Sequence, residues 1–246
     1  MTLDAGSVTV PGERVAPLGR ERFAPASGRR LVHALGVVAL QVVLNGVGFG
    51  VIAPRLLGGE GFSFRGAPME FVAVLAIAAL GIFVGVGLAL CALGRVSLAG
   101  LGWTRAGAGR DVIAGVAAFA LCFVLVLGTT MWAGGGAAVG ELLSSIGSYS
   151  VRQRLLFTCI GVTAAFYEES IFRGYLQPAV VARLGPLAAV VVTAAVFAVY
   201  HLQFRPAALL GKFAVGLVFG AARALRPTLY APATAHALVW MVIGAA

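Results

Sequence analysis

The sequence predicts an all-α protein, a polytopic transmembrane helical bundle of about seven to eight spans. Three observations predict it. Hydrophobic residues make up 60% of the chain and charged residues only 11%, whereas soluble domains carry roughly 25% charged residues. The apolar residues fall in runs of about twenty, enough to cross a ~30 Å hydrocarbon core at about 1.5 Å per residue. The basic residues collect in the short connections between those runs, which is the pattern membrane topology imposes. The net charge of +9 is therefore a topological signal. It predicts the lipid bilayer as partner and no nucleic acid.

Residues 1–30 hold five arginines, three prolines and no apolar periodicity, so they read as a flexible polar tail. The apolar run that follows is too long for a signal-peptide core, so no cleavable signal is expected. Nor does the C-terminal MVIGAA carry a lipidation motif. Residues 31–148 read as N-terminal transmembrane helices, and the chain shows no repeat and no separable soluble domain. The first span covers about residues 31–53. His33 opens it beside Arg29 and Arg30 and reads as an interface residue. Gln41 and Asn45 lie one turn apart on one face and suit an interhelical hydrogen bond. A Gly- and Pro-rich connection, 54–70, leads to a second span at about 71–93. In the next connection Trp103 stands among arginines, which suits an indole at headgroup depth.

The third span covers about residues 112–133 and is predicted to end in Gly134, Gly135 and Gly136, with a mixed connection and a short helix before Arg154. The fourth covers about 155–176. The fifth begins at Pro186 and ends near Phe204, and the sixth, about 207–225, contains Lys212. Pro186 and Pro206 fit first helical turns, where no backbone donor is lost. The seventh, about 228–246, is interrupted early by Pro232. Small residues four apart at Gly46 and Gly50, Gly81 and Gly85, and Gly216 and Gly220 permit close helix packing and say nothing about chemistry. Cys91, Cys122 and Cys159 sit inside apolar runs and read as small buried residues. With the N-terminus inside, twelve basic residues fall on the cytoplasmic side and six on the other, so the chain is expected to be a multi-pass cell-membrane protein with a cytoplasmic N-terminus.

The acidic residues locate the chemistry. Of nine, only Glu168 and Glu169 extend an apolar run from within, in FYEESIFRGYL. An ionisable group inside a bilayer costs a few kcal/mol or more and marks function by default. Glu169 and Arg173 are four apart on one helical face, and Glu168 points about 100° away. One carboxylate can be neutralised while its neighbour faces elsewhere, and separated environments of this kind suit general base chemistry. The bland alternative is a buried ion pair with a spare glutamate at the interface. His201 ends the run AAVFAVY, and His236 lies inside TAHALVW. Polar groups within a bilayer turn to the bundle interior, so Glu168, Glu169, Arg173, His201 and His236 are expected to share one site. Two chemistries fit. Glu168 acts as general base on a water that His201 helps to hold, with no metal, or Glu168, His201 and His236 bind zinc with water in the open position.

At these residues the chain resembles the CAAX prenyl protease and bacteriocin-processing (CPBP, or Abi) family of intramembrane proteases. The resemblance rests on the diglutamate and arginine Glu168, Glu169 and Arg173, on Phe197 and His201 with three residues between them, and on His236 in the third motif. It covers about residue 149 to the C-terminus. It implies an all-helical bundle with a cavity open to membrane and cytoplasm. It further implies Glu168 as the water-activating base with His201 as partner, Glu169 and Arg173 as orienting groups, and His236 as the oxyanion group. The substrate would be a membrane-associated peptide or protein, possibly prenylated or bacteriocin-like. The third motif departs from the family. Position 240 is Trp where the family has Asn or Asp, and an indole donates one hydrogen bond and accepts none. Asn45 or the Trp240 indole is the expected substitute. A non-catalytic scaffold or immunity protein of the same fold is the alternative. A coupled transporter is disfavoured because the acids concentrate in one span.

Overall fold

The computed structural model describes residues 28–47 and 96–244, with the single positions 81, 85, 89 and 94. The expected tail, the 54–70 connection and nearly all of the expected second span lie outside the described residues. Among the described residues every regular element is helical and none is a strand. A chain surrounded by hydrocarbon must satisfy its backbone donors and acceptors internally, and helices do this segment by segment.

Helix α1 spans Gly28–Val47. The short α2, Leu98–Leu101, is capped by the Ser97 side chain and ended by Gly102 at φ 115°. Helix α3, Ala108–Ser148, runs for 41 residues. It starts before the predicted residue 112 and does not stop at the glycine triplet. Only Gly135 leaves helical geometry, at φ 67° and ψ −164°. The triplet therefore makes a kink rather than an end, and the expected short helix is the second half of α3.

Helix α4, Val151–Glu169, opens with a capping box between Ser150 and Gln153. It passes directly into a π-helical segment, Ser170–Leu176, and then into α5, Gln177–Leu184. The run is longer than the predicted 155–176 at both ends. Pro178 does not end it, because the wider π turns come just before the proline. A proline lacks an N–H, and its ring would crowd an α-helical carbonyl four residues back.

Helices α6, Pro186–Tyr200, and α7, Pro206–Leu225, both begin on the predicted prolines. Helix α6 stops short of Phe204, because Leu202 takes the left-handed φ of 55°. Helix α8 spans Tyr230–Ile243.

Three runs are long and apolar enough to cross a membrane: Ala108–Ser148, Val151–Leu184 and Pro206–Leu225. Three shorter apolar helices, Arg30–Val43, Pro186–Tyr200 and Tyr230–Ile243, have 10–17 residues. At about 1.5 Å per residue these reach roughly 15–26 Å, less than a ~30 Å core. Length alone therefore does not supply seven or eight full crossings among the described residues.

The bundle has an apolar surface, and its mostly apolar interior encloses a set of polar groups. Ile113, Val124, Met131 and Trp132 of α3 are exposed, while Glu169, Arg173, Gln177 and Thr193 are fully buried. This distribution suits a lipid-facing surface. Helix α8 packs chiefly on α3 and α4, and α6 packs on α7. Glycines set these approaches. A Cβ at Gly115 would lie 2.6 Å from the Ala231 carbonyl, and one at Gly161 would lie 2.5 Å from the Trp240 Cβ. The Gly216 and Gly220 pair meets Ala194 and Val190 of α6 at 3.1 Å, as a small-residue pair should.

Candidate active site

The π segment fixes the site because it positions everything around it. Its Ile171, Phe172 and Leu176 are at most 1% exposed. Arg173 projects from this segment into a fully enclosed place and is held on every side. Its Nη1 lies 3.3 Å from Glu169 Oε1, and its Nη2 donates to the Gly216 carbonyl at 3.1 Å. Its guanidinium lies over three rings, Phe197 at 4.4 Å, Phe219 at 5.3 Å and Phe172 at 5.6 Å. A planar, delocalised cation tolerates such stacking better than an ammonium would.

One turn on, Gln177 Nε2 donates to the Gly220 carbonyl at 3.0 Å. The glycine pair of α7 therefore does more than permit packing. Without side chains at 216 and 220, two buried polar groups of the neighbouring helix bond to carbonyls that also serve the α7 ladder, since each carbonyl oxygen has two lone pairs.

His236 joins the two carboxylates. Its Nδ1 lies 2.8 Å from Glu169 Oε1, and its Nε2 lies 3.8 Å from Glu168 Oε2. A carboxylate only accepts, so Nδ1 carries the hydrogen and Nε2 is left facing Glu168. Phe219 stacks on the imidazole with centroids 5.0 Å apart and planes at 20°. Glu168 looks another way from Glu169. Its Oε1 accepts from the Tyr200 hydroxyl at 3.4 Å, and its Oε2 is buried without a hydrogen-bond partner among the described residues. Glu169 Oε2 is likewise buried without a partner among the described residues, so the two carboxylates differ in their Oε1 atoms: that of Glu169 is anchored by Arg173 and His236, and that of Glu168 meets only the Tyr200 hydroxyl.

His201 stands apart from this cluster. It is the C-cap of α6, and its Nδ1 lies 2.7 Å from the Phe197 carbonyl. Its ring packs edge-on to Tyr200 and Phe197, with centroids at 5.0 and 4.7 Å. It approaches Glu168 through Tyr200 rather than by direct contact. Among the described residues no group of three or more His, Cys, Asp or Glu is placed to hold a metal ion. The zinc arrangement of Glu168, His201 and His236 is therefore not assembled, and these residues do not fit that group.

Several expectations about neighbouring residues change. The Trp240 Cβ lies close over Gly161 of α4, where an added Cβ would come within 2.5 Å of it. The Asn45 side chain lies outside the described residues. His33 is not a bare interface residue: its Nδ1 lies 2.9 Å from the Tyr175 hydroxyl, and Arg30 covers the same ring. Gln41 makes an interhelical hydrogen bond, accepting from Tyr167. Helix α1 therefore grips the diglutamate helix on both sides of the carboxylates. The Trp103 indole donates its N–H to Ser170 Oγ at 2.8 Å and packs on Phe166 and Tyr230.

Tyr200, Phe219 and Asp111 were missed by sequence reasoning. Tyr200 had a signal in its place beside His201. Asp111, one residue before the predicted third span, is fully buried, bonded to Arg226 at 2.6 Å and to Thr228. That cluster ties the start of α3 to the chain just before α8, and so helps to set the position of His236.

Residues 150–242 match the model of the family described as type II CAAX prenyl endopeptidase Rce1-like. The match covers less than half of the 246-residue chain and bears out the resemblance read from its motifs. It supports a CAAX-type intramembrane endopeptidase in general and, with the long apolar helices, a membrane location. No curated protein and no solved structure matches the chain significantly.

Proposed function

We propose that this protein is an intramembrane endopeptidase that hydrolyses a peptide bond of a membrane-associated substrate with Glu168 as general base. The observation that carries the reading is the asymmetry of the diglutamate. Each carboxylate keeps one buried oxygen without a hydrogen-bond partner among the described residues, but Glu169 is committed to Arg173 at 3.3 Å and His236 at 2.8 Å, whereas Glu168 has only the Tyr200 hydroxyl at 3.4 Å and the His236 ring at 3.8 Å. A base must have a lone pair free to take a proton from water. In this reading Glu168 takes that proton and the hydroxide oxygen attacks the scissile carbonyl. Glu169 and Arg173 hold His236 in place, and the His236 Nε2 face lies beside the reacting water. His201 acts from the rim through Tyr200. The substrate is a peptide or protein at the bilayer, prenylated or bacteriocin-like, and the N-terminus is cytoplasmic.

The test compares protein termini in membranes from cells making the wild type or Glu168→Ala at matched expression. A new terminus seen only with the wild type supports proteolysis and names a substrate. Identical termini favour a non-catalytic membrane protein of the same fold. Trp240 motivates that second reading, since the third motif lacks its usual polar residue and Trp240 is engaged on Gly161.

A further inference from the structure

Lys212 is the chain's single lysine and stands in an apolar stretch of α7. Its neighbours fix the direction of its face. Gly216, one turn on, accepts from Arg173 at 3.1 Å. Phe219, two turns on, stacks on His236. At about 100° per residue, positions 212, 216 and 219 fall within an arc of roughly 60°. Lys212 therefore lies on the face of α7 that builds the candidate active site.

Its side chain is half-buried and makes no hydrogen bond or direct ion pair among the described residues. Its charge nevertheless acts on Glu168 and on His201. The charges in the site explain why a cation is needed there. Glu169 has Arg173 against it at 3.3 Å. Glu168 has only the Tyr200 hydroxyl at 3.4 Å and the His236 ring at 3.8 Å. Two buried carboxylates beside one guanidinium leave one negative charge unmatched whenever both ionise, and general base chemistry needs Glu168 ionised. With Lys212 included, the fixed charges cancel.

We propose that Lys212 is the counter-cation of Glu168 and the group that holds the oxyanion, a role for which Trp240 offers only one neutral N–H. This rests on the hydrolytic reading above. Water gives a proton to Glu168 as its oxygen bonds to the carbonyl carbon, and the carbonyl π pair moves onto oxygen. Negative charge thus leaves Glu168 and arises on the substrate. Lys212 keeps its protons and compensates the charge at both places. On collapse the C–N bond breaks, and Glu168 returns the proton to the leaving amine. A compact ammonium on a flexible stem can follow that movement, whereas a guanidinium fork is fixed by its own geometry.

The first arm of the test needs no substrate. Thermal unfolding of the full chain in detergent is measured for wild type, Lys212→Met, Glu168→Gln and the double variant. Pairing predicts that Lys212→Met lowers Tm by about 5 °C or more and that adding Glu168→Gln recovers at least half of the loss. Additive losses in the double variant overturn the pairing. The second arm follows cleavage of a farnesylated, internally quenched peptide with a free carboxyl terminus. Lys212→Met is expected to lower kcat by about 10²–10³-fold with KM little changed, and Lys212→Arg to recover part of it. A kcat within a few-fold of wild type overturns the oxyanion role. If the wild type itself cleaves nothing, the hydrolytic reading and the oxyanion role fail together, and the unfolding cycle still judges the pairing.

Discussion

Replacing Gly161 with alanine tests the packing that places His236. The new Cβ would stand 2.5 Å from the Trp240 Cβ and 3.0 Å from the Ala237 carbonyl oxygen. Carbon atoms rest about 3.5–4.0 Å apart, so α8 must move from α4 by about 1 Å. His236 precedes Ala237, and its Nδ1 is 2.8 Å from Glu169. A shift of that size takes the pair to the limit of a hydrogen bond. Overpacking costs about 1–3 kcal/mol, against a helix-propensity gain of roughly 0.5–1 kcal/mol for Gly to Ala. The net loss is up to about 2.5 kcal/mol, or up to roughly 10 °C in Tm for a chain of this size. Gly128→Ala is the internal control, because a Cβ there meets nothing within 4 Å and the propensity gain stands alone. Thermal unfolding in detergent compares the two variants with wild type. Equal Tm values for Gly161→Ala and Gly128→Ala would refute the close α4–α8 contact. Proteolysis, if present, falls with Gly161→Ala by up to about 10²-fold, the effect of a 1 Å misplacement.

Two further predictions follow from buried polar groups. Asp111→Asn weakens the bond to Arg226 at 2.6 Å and the one from Thr228. Because Arg226 can turn to solvent, the expected loss is about 1–3 kcal/mol, read as a lowered Tm, and Arg226→Ala should add little to it. Phe197→Leu keeps an apolar filler but removes the ring 4.4 Å from the Arg173 guanidinium; with two rings remaining, about 0.5–2 kcal/mol is lost, and a Tm equal to wild type would count against the stacking.

The helical class and the site segment were readable because they rest on rules with few exceptions. A backbone in hydrocarbon must close its own hydrogen bonds, and paired carboxylates within an apolar run need a reason. The spacing of Glu169 and Arg173 also carried information, since the ion pair is present at 3.3 Å. The helix ends were less legible. Whether the glycine triplet ends α3 or kinks it depends on the φ of Gly135 alone. Pro178 looks like a stop until the π turns before it are known. Asp111 and Trp103 have partners that spacing does not reveal, for one reason. Both lie in segments that read as connections, and only the fold shows that their partners, Thr228 and Ser170, approach from 117 and 67 residues away. His201 was placed correctly in the chain, yet its reach toward Glu168 runs through Tyr200, a step that spacing cannot reveal.

The distances in sequence between the buried charges and their partners bear on biogenesis. Glu168, Glu169 and Arg173 each oppose insertion by about 2.5–3.5 kcal/mol for a charge at a helix centre. Glu169 and Arg173 offset each other within the run, but their further partners come late, from Gly216, 43 residues beyond Arg173, and from His236, 67 residues beyond Glu169. When the diglutamate helix first meets the bilayer during synthesis, neither partner has been made. The helix must therefore wait at the translocation machinery, or lie shallow in the membrane, until α7 and α8 arrive to take up its charges. Its stable insertion is then the last step of assembly rather than the fourth, and a chain cut before α8 would be a substrate for quality control.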